Sequence, residues 1–135
     1  MKTIVLVVED QADIRKLVRM TLAISDVEVY EANTGEMGVK MTNSLRPHIV
    51  LMDVMMPGEI DGYQACRQIK DDPNLSGTAV VMLTARSQQS DLLAGKAAGA
   101  DSYVVKPFSP LQLLGEFQRA RDLVEKLRVN LCLCP

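Results

Sequence analysis

Five short runs rich in Ile, Val, Leu, Met and Ala occupy residues 3–8, 27–32, 48–53, 79–84 and 102–106, with stretches of helical length and period between them. This alternation constrains the fold more than any other feature of the chain. The first, third and fourth runs (TIVLVV, HIVLMD and AVVMLT) are nearly unbroken in apolar side chains rather than alternating with polar ones. Strands of that kind are covered on both faces, which is the condition of a parallel sheet. Parallel neighbours need crossover connections, and these are right-handed almost without exception. Five β-α units therefore predict a doubly wound α/β domain, a five-stranded parallel sheet with helices on both faces. Helix punctuation agrees. Thr34 suits the N-cap of a helix toward Asn43 and Ser87 that of a helix toward Ala98, while Ser109 precedes a proline placed for the first helical position. Gly99 fits a left-handed C-cap of the fourth helix.

A chain of 135 residues holds one such domain, expected over residues 1–127, with a free C-terminal tail over residues 128–135. Apolar residues at 47% and charged residues at 24% place it among ordinary globular chains and exclude a disordered one. The formal net charge is −2 and no basic stripe is present, so direct nucleic-acid contact is not expected. No stretch approaches the ~20 apolar residues that span a bilayer, and the expected location is the cytoplasm. Cys66, Cys132 and Cys134 are an odd set with C-x-C spacing, which fits neither a disulfide framework nor a C-x-x-C site. Reduced thiols are expected.

In an open parallel sheet, ligands bind beyond the carboxyl ends of the strands, so the residues that close each run carry the functional information. These are Glu9 and Asp10 after the first run, Asp53 ending the third, Thr84 ending the fourth and Lys106 ending the fifth. Three crowded carboxylates repel one another, and proteins keep such groups together mainly where a cation or a tuned pKa makes use of them. With Lys106 the cluster carries −2, which one divalent ion cancels. Acid-rich oxygen ligation with no His or Cys nearby suits Mg²⁺ or Mn²⁺ rather than zinc. Magnesium prefers to share its sphere with phosphoryl oxygens, so Asp53 becomes a candidate nucleophile forming an aspartyl phosphate, with Lys106 and Thr84 on the phosphoryl oxygens.

The acid pair Glu9-Asp10, Asp53 within L-M-D-V-M-M-P-G, Asp61-Gly62, Thr84-Ala85, A-G-A-D at residues 98–101 and Lys106-Pro107-Phe108 occur in an order and spacing that resembles a response regulator receiver domain of two-component signalling, near the single-domain chemotaxis and phosphorelay type. The resemblance implies a flavodoxin-like sheet of order 2-1-3-4-5 and Asp53 as phosphoacceptor. It implies Mg²⁺ held by Asp10, Asp53 and the main-chain carbonyl of Met55, with Glu9 acting through water. Lys106 is implied on the phosphoryl group, Thr84 with Tyr103 as a switch pair, and a cis Lys106–Pro107 bond. Implied partners are a histidine kinase or histidine phosphotransfer protein, and a target or output domain at the surface of the fourth helix, fifth strand and fifth helix. The protein is expected as a monomer or a phosphorylation-dependent homodimer, with weak self-phosphorylation and self-dephosphorylation as its only enzymatic activity. Met55 and Arg86 resemble family positions that tune loss of the acyl phosphate. One departure stands out: M-P-G-E-I-D-G, residues 56–62, is one residue longer than the usual family spacing.

Two other readings are weaker. A dehalogenase-type phosphatase would need D-x-D, and Met55 stands where its second acid belongs. A flavodoxin-like flavin carrier would bind phosphate at the first helix N-terminus, where Glu9 and Asp10 repel it and no glycine- or serine-rich loop is present. His48, the only histidine, lies about 16 Å along an extended strand from Asp53, at the opposite end of the sheet, so it cannot serve the acids as a base.

Overall fold

A computed structural model of the chain describes residues 2–56, 58–85 and 96–133. Strands β1 (Thr3–Val8), β2 (Val27–Ala32), β3 (Ile49–Asp53), β4 (Ala79–Thr84) and β5 (Ser102–Val105) form one sheet of order β2-β1-β3-β4-β5, every pair parallel. Helices α1 (Ala12–Leu22), α2 (Gly35–Leu45) and α3 (Gly62–Asp71), a short 3₁₀ turn (Pro73–Leu75) and a C-terminal helix (Pro110–Leu133) complete the described elements. The chain therefore has the doubly wound fold expected of its five apolar runs.

Both faces of the central strands are packed, which is why their sequences do not alternate. Val5, Val7, Ile49, Leu51, Val81 and Leu83 meet Val18 and Leu22 of α1 and Leu113, Phe117 and Val124 of the C-terminal helix. The intervening residues Leu6, Val8, Val50, Met52, Val80 and Met82 meet Ala65, Cys66 and Ile69 of α3 on the other face. Each large apolar side chain so buried contributes roughly 1.5–3 kcal/mol relative to exposure. Cys66 lies wholly inside this second layer, and burial pushes its thiol up to about 12, which leaves it inert.

Helix starts follow local chemistry. Thr34 accepts the Met37 N–H at 3.1 Å, as expected of an N-cap. Asp61 and Gln64 form a reciprocal capping box at α3, with both hydrogen bonds at 2.9 Å. Ser109 and Gln112 exchange the same pair of bonds in front of the C-terminal helix, at 2.8 and 3.2 Å. Gly99 adopts φ +90 and its N–H donates to the Lys96 carbonyl, which is the left-handed turn expected there. The expected Ser87 cap and Arg86 lie outside the described residues.

The C-terminal helix continues to Leu133, whereas an end near Leu127 and a free tail were expected. No glycine or proline interrupts the chain between Leu127 and Pro135, and Arg128 fastens the helix to the sheet by donating to the Gly77 and Pro47 carbonyls at 3.2 and 3.3 Å. His48 sits at that same amino-terminal end of the sheet, its Nδ1 accepting the Ile4 N–H at 2.9 Å. Burial and the nearby Arg128 and Arg121 charges hold its imidazole below the usual histidine value.

Candidate functional site

The registers that align the strands also align their ends. Val8 pairs with Met52, Asp53 with Leu83 and Thr84 with Val105, so the residues that follow β1 and those that close β3, β4 and β5 emerge at one edge. There Glu9, Asp10 and Asp53 each offer a carboxylate oxygen, all within 4.8 Å of one another. Lys106 reaches in from beyond β5, bonding the Glu9 carboxylate and standing 3.0 Å from Asp53 Oδ1. Glu9 is fully buried and Asp53 nearly so, while Asp10 faces solvent.

Backbone contacts hold these groups in place. The Glu9 N–H donates to Ala32 O at 3.0 Å and its carbonyl accepts from Arg15 at 2.7 Å. Arg15 also pairs with Glu31 at 2.9 Å, tying α1 and the end of β2 to the acidic edge. The Lys106 N–H donates to Thr84 O at 2.6 Å, and the Lys106–Pro107 bond is cis, as the resemblance implied.

The electrostatics match the crowding. Burial, followed by the Asp53 carboxylate, pushes Glu9 above the usual carboxyl range, with Lys106 opposing the rise. Asp10 is raised by desolvation and by Glu9. Burial works against the Lys106 charge, but its bonds to Glu9 and Asp53 prevail and lift it above the ordinary lysine value. Three hard oxygen donors in convergent geometry fit a small divalent cation. Glu9, Asp10 and Asp53 form a group that could hold one.

Thr84 is buried at the end of β4, and Tyr103 is half-buried on β5 against the α3-side core. Tyr103 is in register with Met82, two residues before Thr84, so both side chains project from one face of the sheet. Met55, two residues past Asp53, is 75% exposed at the mouth of the site.

Sequence reasoning passed over Glu36 and the packing role of Gly62. Glu36 lies on α2 yet accepts the Ile60 N–H at 2.8 Å. A Cβ on Gly62 would stand 2.0 Å from the Asp53 carbonyl oxygen, so the first residue of α3 rests directly on the strand end. Neither contact has a local sequence signal, since both join residues distant in the chain.

Residues 5–118 match the family described as response regulator receiver domain. The transcriptional regulatory protein ResD of Bacillus subtilis is 38% identical over 113 residues, covering 84% of this chain and 45% of ResD. The chain spans about half the length of the curated relatives it matches. Among solved structures, chemotaxis response regulator CheY4 of Vibrio cholerae superposes with a TM-score of 0.83 at 31% identity, over 89% of this chain and 99% of that one. The receiver domain of sensor histidine kinase PA1611 from Pseudomonas aeruginosa, described with a magnesium ion coordinated in its active site cleft, gives 0.82 at 28% identity, over 90% and 99%.

Proposed function

The chain belongs to the response regulator receiver family, and on that footing we propose that Asp53 is the phosphoacceptor of a two-component signalling switch. The observation that carries this reading is the convergence at Asp53: an ammonium 3.0 Å from its carboxylate and two further carboxylates within 4.8 Å. In this reading an Asp53 oxygen attacks the phosphorus of a phosphohistidine on a histidine kinase or phosphotransfer protein. The O–P bond forms as the P–N bond breaks, and the imidazole departs with a proton from solvent. Attack by water on the same phosphorus later returns inorganic phosphate and free Asp53.

Asp10, Asp53, the Met55 carbonyl and, through water, Glu9 would hold the Mg²⁺ (or Mn²⁺), which supplies charge neutralisation at the phosphoryl oxygens. Lys106 exchanges its Asp53 contact for a phosphoryl oxygen, and the Thr84 hydroxyl donates to another. Met55 in the position of a second acid argues against the dehalogenase reading. The acidic pair Glu9 and Asp10 ahead of α1, where a flavin phosphate would sit, argues against a flavin carrier.

Acetyl phosphate with Mg²⁺ is expected to add one acid-labile phosphoryl group per chain, and EDTA to prevent it. Mass spectrometry without any such adduct in Mg²⁺ would overturn the reading.

The readout belongs to the surface of the expected helix over residues 87–98, β5 and the C-terminal helix, where a target, an output domain or a second copy of the chain would dock. No nucleic-acid contact is assigned to these 135 residues at net charge −2. Among the described residues no helix is long and apolar enough to cross a membrane. Phosphorylation brings about −2 of charge and new acceptor oxygens to Asp53, giving Thr84 a partner that only this state offers. With Thr84 drawn toward it, Tyr103 on the same sheet face turns inward to fill the vacated space, linking site to surface through one two-state element. Thr84→Ala should still be phosphorylated yet lose most of the amide chemical-shift response around Tyr103 and along residues 87–98. A response as large as in the wild type would remove Thr84 from the switch.

A further inference from the structure

The segment between Asp53 and α3 contains residues 56–62, which depart by one residue from the spacing the resemblance implies. Its two ends are fastened to the phosphoacceptor strand and its neighbour. The Val54 N–H donates to Leu83 O and the Gly62 N–H to Val54 O, both at 3.0 Å. Its middle is fastened elsewhere, to the first turn of α2. The Ile60 N–H donates to Glu36 Oε1 at 2.8 Å. Gly58, at φ +122, passes so close that a Cβ there would stand 2.8 and 2.9 Å from the two Glu36 oxygens. A Cβ on Gly35 would likewise stand 3.0 Å from both Cγ1 and the carbonyl oxygen of Ile60. Two positions without side chains thus let Gly58 and Ile60 approach the first turn of α2, where the Glu36 carboxylate accepts the Ile60 N–H. The bond from Ile60 holds that carboxyl below its usual range, so it is charged when it does this.

Met55 lies inside the segment. Its side chain is 75% exposed, so its own packing does little to anchor it. A segment one residue longer than usual has more freedom to lose, and a clasp at residues 58–60 removes it.

We propose that Glu36 is a positioning residue for the chemistry at Asp53, clasping residues 58–60 to α2 and so steadying the backbone from which the Met55 carbonyl would reach the cation. The inference rests on the reading of Asp53 as a metal-assisted phosphoacceptor. It assigns to a residue of α2, outside the acidic edge, control over how tightly the site binds its cation and how long the phosphoryl group survives.

The test uses the full chain. In metal-free protein the Ile60 amide is expected to be protected from hydrogen exchange in the wild type and unprotected in Glu36→Ala. Titration with Mg²⁺ should then give a dissociation constant raised roughly tenfold in Glu36→Ala, about what loss of one well-placed oxygen ligand would cause. Glu36→Gln, which keeps an acceptor but no charge, should recover most of that affinity and the Ile60 protection. An alanine variant that binds Mg²⁺ as the wild type does would overturn the proposal, because the clasp would then be structural only. A glutamine variant as weak as the alanine one would overturn it too, since the effect would be one of charge at a distance. Phosphoryl lifetime after acetyl phosphate labelling separates the two levels of the argument. If the wild type acquires no phosphoryl group, the reading of Asp53 is what fails, whereas a labelled wild type with unchanged lifetime and affinity in Glu36→Ala refutes the clasp.

Discussion

Asp53→Asn is expected to abolish the acid-labile phosphoryl group that the wild-type chain acquires from acetyl phosphate and Mg²⁺, with no loss of folded stability in EDTA. An amide oxygen is too weak a nucleophile to form the acyl phosphate, so the chemical effect is complete rather than partial. The stability effect follows from the charges around position 53. Asp53 is buried at 4% exposure and its carboxylate helps to raise Glu9, so neutralising it relieves repulsion inside the site. The cost is one ion pair, Lys106 to Asp53 at 3.0 Å, but Lys106 keeps its bond to Glu9. An unfolding midpoint equal to or above that of the wild type, together with an unlabelled mass spectrum, is the expected pair of results. Persistent labelling of the variant would mean that another carboxylate accepts the group, and Asp10, the exposed member of the cluster, would be the next to replace.

How much of this was legible in the sequence depended on whether the signal was local. The runs at residues 3–8 and 79–84 coincide with β1 and β4, because burial on both faces writes itself as consecutive apolar residues, and the run at 27–32 coincides with β2, a partly exposed edge strand that keeps polar residues. Polar residues closing those runs pointed to the acidic edge for an equally local reason: a strand end in a parallel sheet has only one place to go. Thr34, Ser109-Pro110 and Gly99 were readable as caps because capping is decided within about four residues. The end of the C-terminal helix was not, since Arg128 holds it through carbonyls of Pro47 and Gly77, far away in the chain. Glu36 and the packing role of Gly62 escaped for the same reason. On a helix surface Glu36 reads as an ordinary solvated acid, and only the folded course of residues 58–60 gives it a partner.

Gly62→Ala should destabilise the domain by about 3 kcal/mol or more and lower its melting temperature by roughly 10 °C, although alanine is the better helix former. Gly62 opens α3 with a backbone conformation open to any residue, so propensity alone favours the substitution. Space forbids it. The added Cβ would lie 2.0 Å from the Asp53 carbonyl oxygen and 2.8 Å from both the Asp53 carbonyl carbon and the Val54 Cα, all backbone atoms with no rotamer to yield. Relief requires moving either α3 or the end of β3, and the second displaces Asp53 relative to Lys106. Phosphoryl labelling should therefore fall along with stability. Gly115→Ala supplies the opposing case inside the C-terminal helix: nothing lies within 4 Å of its Cβ, and the position is exposed. There propensity acts unopposed and the variant should gain about 1 kcal/mol, or roughly 3 °C, with labelling unchanged. Thermal unfolding of the two variants beside the wild type decides the matter, and a Gly62→Ala protein as stable as Gly115→Ala would show that α3 does not rest on the phosphoacceptor strand as described.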